Sequence, residues 1–200
     1  MSRRIRRVKA RQSLILRVRC LAATGQRYGA LEFGELSRSD CFQDGQKIIG
    51  AGADNTARVL DLASNGAPAL QVAGHDAPIK SVRFFTTSRA NAAMIATGSW
   101  DKTVKYWDLR QPTSVASLTC KERVYSMDIK RDLLAIGTAE RHINLVNLQN
   151  PTSFFKSIES PLKHQTRVVS CFTDADGIVI GGIEGRCSIV YRYPSDHEYV

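Results

Sequence analysis

Two dipeptides, Gly74-His75 and Trp107-Asp108, bracket the stretch that most limits what this chain can fold into. Between them, Ala96-Thr-Gly-Ser-Trp-Asp-Lys-Thr-Val-Lys-Tyr-Trp-Asp-Leu109 reads as two strands around a tight turn. Ala96 to Ser99 closes the first strand, Asp101-Lys102 occupies the turn, and Val104 to Trp107 alternates faces with the period of two that a sheet strand requires. An aspartate suits that turn because its carboxylate accepts hydrogen bonds from nearby backbone N–H groups. A Gly-His start and a Trp-Asp end about thirty residues apart mark one blade of a β-propeller, a unit of four antiparallel strands.

A lone blade leaves both faces wet, so the reading demands copies. Gly52-Ala-Asp54-Asn-Thr-Ala-Arg-Val-Leu-Asp61 precedes it; Gly137-Thr-Ala-Glu140-Arg-His-Ile-Asn-Leu-Val-Asn147 and Gly182-Ile-Glu184-Gly-Arg-Cys-Ser-Ile-Val-Tyr191 follow. In each copy seven positions separate the turn acid from the end of the strand: 54 to 61, 101 to 108, 140 to 147 and 184 to 191. The acids are 47, 39 and 44 residues apart, which suits a WD-type repeat of about 40–45 residues. The expected fold class is therefore all-β, a propeller of WD repeats. Its repeats are expected at about 43–73, 74–119, 120–163 and 164–193, inside a propeller region of residues 41–200.

The first of these reads as a half-blade, since no Gly-His precedes it; Asp44-Gly45 is its expected hairpin, as Asp176-Gly177 is for the fourth. In the second repeat His75, Thr97, Asp101 and Trp107 form the set from which WD repeats build a hydrogen-bonded structural tetrad. Each member supplies a donor or acceptor to the next, which avoids a desolvation penalty of about 1–3 kcal/mol per buried polar group. The third and fourth repeats lose it: Ile136 and Ile180 stand at the position of Thr97, and Val146 and Val190 at that of Trp107. Apolar packing must hold those blades.

The net charge of +9 invites a nucleic-acid reading, but residues 1–31 hold nine Arg or Lys and no acid, which leaves the repeat region neutral. Residues 1–40 show no blade pattern and are expected to be a basic, disordered N-terminal arm. A nuclear-localisation or RNA-contacting patch and an Arg-rich transit peptide are its other readings, as is a misplaced start of the reading frame. No apolar run approaches the roughly 18 residues of a bilayer span, so no membrane partner is expected. The five cysteines, Cys20, Cys41, Cys120, Cys171 and Cys187, have no Cys-x-x-Cys and no metal spacing; no disulfide framework, metal or cofactor is indicated, and a reducing compartment fits. No nucleophile–base pair stands at suggestive spacing, so no catalytic residue is assigned and no small-molecule substrate is expected.

Several segments go further. Thr97-Gly-Ser-Trp-Asp-Lys-Thr-Val-Lys-Tyr-Trp-Asp108, Glu122-Arg-Val-Tyr-Ser126, Thr138-Ala-Glu-Arg-His-Ile143, Ile158-Glu-Ser-Pro-Leu-Lys-His-Gln-Thr-Arg167 and Ile183-Glu-Gly-Arg186 resemble the poly(A) RNA export WD-repeat proteins of the nuclear pore, in a version of fungal type. The resemblance covers about residues 43 to 191; residues 1–40 match nothing in the family. The cousin family of mitotic-checkpoint kinetochore adaptors, which bind a checkpoint-kinase peptide, shares the Gly-Ser-Trp-Asp and Gln-Thr-Arg segments and stands as the alternative, with a non-functional fragment as a third.

The resemblance implies a seven-bladed, non-catalytic propeller of which about four blades are present, so that the chain looks truncated. It implies docking on a glutamate-bearing nucleoporin segment of the GLEBS type, contact with RNA, and a place at the nuclear envelope, in the nucleus and in the cytoplasm. Arg167 is the position that best matches the family's glutamate-binding arginines. Arg123 joins it, since both are expected just before the first strand of their repeats, where Pro78 stands. Trp100 precedes the turn acid and should share that face as an aromatic anchor. Lys102, Lys105, Lys121 and Arg141 are the candidates for RNA backbone contact.

Overall fold

The computed structural model describes residues 16–21, 27–33, 36–41, 46–64, 68–86 and 93–192. The basic run of residues 2–11, the Asp44-Gly45 hairpin and residues 87–92 lie outside them. Seventeen strands are present among the described residues. β1 (Leu16–Leu21) and β2 (Arg27–Phe33) pair antiparallel as a two-stranded sheet. Blade one consists of β3 (Leu36–Cys41), β4 (Lys47–Gly52), β5 (Thr56–Asp61) and β6 (Leu70–Gly74). Blade two is β7 (Ile79–Thr86), β8 (Ala93–Ser99), β9 (Thr103–Asp108) and β10 (Ser114–Thr119). Blade three is β11 (Val124–Lys130), β12 (Leu133–Thr138), β13 (His142–Asn147) and β14 (Phe154–Glu159). Blade four holds β15 (Thr166–Cys171), β16 (Gly177–Gly182) and β17 (Cys187–Tyr191). Within every blade consecutive strands are antiparallel neighbours, the meander of an incomplete WD-repeat propeller.

The core lies between blades rather than inside any one of them. Ile49, Ala51 and Val59 of blade one pack on Ile79, Val82, Phe84 and Ile95 of blade two. Phe85, Val104 and Tyr106 on the other face of blade two meet Val124, Met127 and Ile136 of blade three. Leu133, Ile143 and Leu145 meet Val169, Cys171, Ile178 and Ile180 of blade four. A strand covered on both sides loses the polar half of its alternation, and β12 (Leu-Leu-Ala-Ile-Gly-Thr) is buried at all six positions. Close blade spacing also explains two glycines. A Cβ on Gly98 would stand 2.7 Å from a methyl of Val124, and one on Gly137 2.7 Å from a methyl of Val169.

Two expectations change. The first repeat is a complete four-stranded blade that begins at Leu36, because β3 supplies its inner strand. Leu36-Ser-Arg-Ser-Asp-Cys41 carries too few apolar residues to announce itself, yet the Asp40 carboxylate accepts the Phe84 backbone N–H of blade two at 3.0 Å. The stretch 1–40, read as an arm, thus contains β1, β2 and most of β3.

Candidate functional site

The four residues of the second repeat meet around one imidazole. Gly74 ends β6, which delivers His75 to the loop before β7; Thr97 comes from β8, Asp101 from the β8–β9 turn and Trp107 from β9. His75 Nδ1 lies 2.8 Å from Asp101 Oδ2, and His75 Nε2 lies 2.7 Å from Thr97 Oγ1. Trp107 Nε1 donates to the same threonine oxygen at 2.8 Å. Since the Asp101 carboxylate can only accept, the His75 proton is assigned to Nδ1; Nε2 then accepts the Thr97 hydroxyl proton, and the threonine oxygen accepts from the indole, which can only donate. Burial holds His75 below its ordinary pKa of 6.5 and outweighs the pull of Asp101, in keeping with a neutral ring. Burial pushes the Asp101 carboxyl up, but hydrogen bonds from Thr103 and His75 together hold it below 3.8. The four side chains thus lock into one hydrogen-bonded chain from Asp101 through His75 and Thr97 to Trp107.

The other blades keep the lock's backbone and drop its side chains. His75, Cys120 and Ser160 occupy one position: their N–H groups donate to the carbonyls of Asn55, Lys102 and Arg141 at 3.0, 2.7 and 2.8 Å. Those acceptors follow the turn acid and are left-handed, with φ of 62°, 68° and 64°, and the fourth turn uses Gly185 at 76°. The turn is thus an acid followed by a left-handed residue in all four blades. Burial pushes the Cys120 and Cys171 thiols up to about 12, so neither is a thiolate near neutral pH. Among the described residues no cluster of three or more His, Cys, Asp or Glu is placed to hold a metal.

A second polar network, not anticipated, runs from blade to blade along the inner strands. Asp128 on β11 accepts from Arg83 Nε of β7 at 2.9 Å and from the Cys171 N–H of β15 at 2.9 Å. Ser170 Oγ donates to the same carboxylate at 3.2 Å. One step along, Ser81 Oγ accepts the Met127 N–H and Ser126 Oγ the Val169 N–H, both at 3.1 Å. The only sequence signal was a charge inside an apolar run, Val124-Tyr-Ser-Met-Asp-Ile129.

The rim formed by the inter-blade loops and the turns carries the partner-binding candidates. Pro78, Arg123 and Gln165 share one position, their carbonyls accepting the N–H groups of Trp100, Ala139 and Ile183 at 3.1, 2.9 and 3.1 Å. Arg123 therefore stands where expected, before β11, and is exposed. Arg167 does not stand at the Pro78 position: it is the second residue of β15, at a break in pairing register between Thr166 and Val168. The same break falls at Lys80 and at Tyr125. Such a bulge re-aims its side chain, and Arg167 is exposed. Trp100, 37% exposed, meets Tyr125 of the next blade edge-on with centroids 6.5 Å apart. Tyr125 was missed because an aromatic in a strand reads as core.

The proposed RNA contacts divide. Lys121 is exposed. Lys102 Nζ donates to Glu122 at 2.9 Å and to the Lys121 carbonyl at 3.2 Å. Arg141 is engaged by Glu159 and by the Leu162 carbonyl. Lys105, in mid-strand on β9, reaches the Gly74 carbonyl at 3.4 Å.

Blades joined face to face, with the lock complete in one of them, define a WD-repeat propeller protein, and the chain belongs to that class. The family described as WD domain, G-beta repeat matches residues 66–108. The chain is 53% identical over 184 residues to the mRNA export factor GLE2 of Chaetomium thermophilum, covering 90% of this chain and 50% of that protein. It is 43% identical to the Poly(A)+ RNA export protein of Schizosaccharomyces pombe (87% of this chain, 49% of that one) and 38% identical to Protein Rae1 of Drosophila melanogaster (76% and 44%). Both of these fungal relatives are named for RNA export. The chain spans about half the length of the curated relatives it matches. The Chaetomium alignment covers more of this chain than residues 41–200 contain, so part of the first 40 residues does have a counterpart there.

Proposed function

We propose that this chain is a non-catalytic interaction scaffold in nuclear mRNA export, working in the nucleus and at the nuclear pore, whose rim docks a glutamate-bearing nucleoporin segment. The observation that carries this reading is the exposed pair Arg123 and Arg167 on consecutive blades, beside the Trp100–Tyr125 contact. A guanidinium offers a carboxylate two parallel hydrogen bonds, and an aromatic step beside it receives the apolar side chain of the same peptide. The names of the relatives, export factors in a fungus and poly(A)+ RNA export in another, support the pathway. RNA contact rests on fewer residues than the sequence suggested, since Lys102, Lys105 and Arg141 have intramolecular partners and Lys121 lies nearest to free. The test is a titration of a labelled, glutamate-containing nucleoporin segment against wild type, Arg167→Ala and Arg123→Ala. Binding that weakens by tenfold or more in Arg167→Ala, about 1.4 kcal/mol, supports the reading. Equal binding by all three proteins, or none by the wild type, overturns it.

A further inference from the structure

A groove of about 650 Å³ runs along the outer side of the junction between blades one and two. Leu70, Val72 and Ala73 of β6 line one wall, and Trp107, Leu109 and Pro112 of blade two line the other. Leu70 is 66% exposed, and Val72 and Leu109 are only half-buried against the cluster that joins these blades. The next junction is filled at the same places. Leu118, which pairs with Val104 as Ala73 pairs with Ala57, and Leu148, at the register of Leu109, are 6% and 8% exposed inside the cluster of blades two and three. An alanine where the following blade carries a leucine thus leaves the hollow open at its floor. Both ends of the groove are cationic. Arg110 lines one end with its side chain 66% exposed; its Nε and Nη2 hold Asp108, and its Nη1 has no partner among the described residues. Lys105 stands at the other end, where it donates at 3.4 Å to the carbonyl of Gly74, itself a lining residue. Blade three has the neutral Asn144 and Gln149 at these two positions.

We propose that this groove takes an extended segment of a protein partner, one with two acidic residues four or five positions apart and apolar side chains between them. The apolar side chains settle on Leu70, Val72 and Leu109. One carboxylate draws Lys105 from its long bond to a neutral carbonyl, and the other takes the open Nη1 of Arg110. Apolar burial supplies affinity, and the two charges fix register. The spacing follows from the strand: five residue steps from Lys105 to Arg110 span at most about 16 Å, the reach of the same number of residues in an extended partner. β6 is the last strand of its sheet, so its outer N–H and C=O groups also suit an extended chain. Single-stranded nucleic acid fits less well, because Trp107, the aromatic of the groove, is 7% exposed and offers no open face for a base to stack on. The groove lies on other blades than Arg123 and Arg167, so this reading and the rim reading stand or fall separately.

The test selects binders of the full chain from a displayed library of random short peptides, then titrates a labelled synthetic peptide of the enriched sequence. The enriched sequences are expected to share two acids four or five positions apart around apolar residues. Ala73→Leu, Lys105→Asn and Arg110→Gln each install the residue that the following blade carries at the same register, which keeps them compatible with the fold. Ala73→Leu fills the hollow and should weaken binding by about tenfold or more. The Lys105→Asn, Arg110→Gln double variant should weaken it by a similar factor while melting at the wild-type temperature, so that a loss of binding is not a loss of fold. Arg123→Ala and Arg167→Ala should bind the peptide as the wild type does. No enrichment, a consensus without acids, or binding that survives either Ala73→Leu or the double variant overturns the proposal. So does a peptide lost with Arg167→Ala, or a labelled oligoadenylate that binds the wild type and is lost in the double variant.

Discussion

The Asp128 carboxylate and the Cys171 amide N–H, 2.9 Å apart, tie the inner strand of blade three to that of blade four, while Arg83 holds the same carboxylate from blade two. Three blades are thus joined at one acidic side chain. Removing it strands a donor on each side. Asp128→Ala leaves the Arg83 guanidinium, whose side chain is 13% exposed, without its ion partner, and a lost partner of a largely buried pair costs about 3 kcal/mol. Asp128→Asn, whose amide oxygen still accepts the Cys171 N–H, should lose less. Urea denaturation of the three proteins checks the order.

The tetrad gives a prediction of different kind, since Thr97 can be replaced at constant shape. Thr97→Val removes the oxygen that takes the Trp107 N–H and completes the His75 contact. Two buried polar groups then lack partners, which costs about 2–6 kcal/mol at the roughly 1–3 kcal/mol typical of each. Thermal melting followed by tryptophan fluorescence reports both the loss and any change around Trp107.

Acid should loosen the same site. The folded His75 has a pKa below 6.5, so the unfolded chain takes up the proton first as pH falls. Stability from this residue is present above about 6.5 and declines as pH drops from there through the lower folded value. Asp101, also lowered when folded, adds a loss in the same direction at pH below 3.8. Denaturation midpoints between pH 7.5 and 5 should fall in the wild type and fall less steeply in His75→Gln; equal slopes would mean the ring does not govern this window.

The repeats and the tetrad were legible because both are local or periodic. The turn acid sits at one register in every blade, and the tetrad draws on residues 75 to 107, a single repeat. The inter-blade contacts were not legible. Asp128 meets residues 45 positions before and 43 after it, and nothing in either strand's own pattern names the partner. That Arg167 lies two positions past the place of Pro78, at the bulge that Lys80 and Tyr125 hold in the blades before it, is a matter of pairing register, which alternation alone does not set. Arg141 and Lys102 read as free cations because the groups that engage them lie about 20 residues further on, in the next inter-blade loop or, for Glu159, at the end of β14. The polar strand β3 was passed over since its partner chemistry, the Asp40 contact to Phe84, lies in another blade.

Gly137 shows how tightly that inter-blade geometry is set. An added methyl there would lie 2.7 Å from Val169 Cγ2 and 3.3 Å from Thr166 Cγ2, both on the inner strand of blade four. Neither neighbour has room to retreat: Val169 is 1% exposed inside the third apolar cluster, and Thr166 is likewise 1% exposed. Gly137→Ala must therefore push blade four outward or force Val169 off its rotamer, at about 1–3 kcal/mol. Strand propensity alone would point the other way, because alanine restricts the unfolded chain more than glycine does. Equilibrium denaturation decides between them, and combining Gly137→Ala with Val169→Ala identifies the cause. If the clash with Val169 dominates, the double variant should lose less than the sum of the two single losses; an additive result would place the strain elsewhere in the strand.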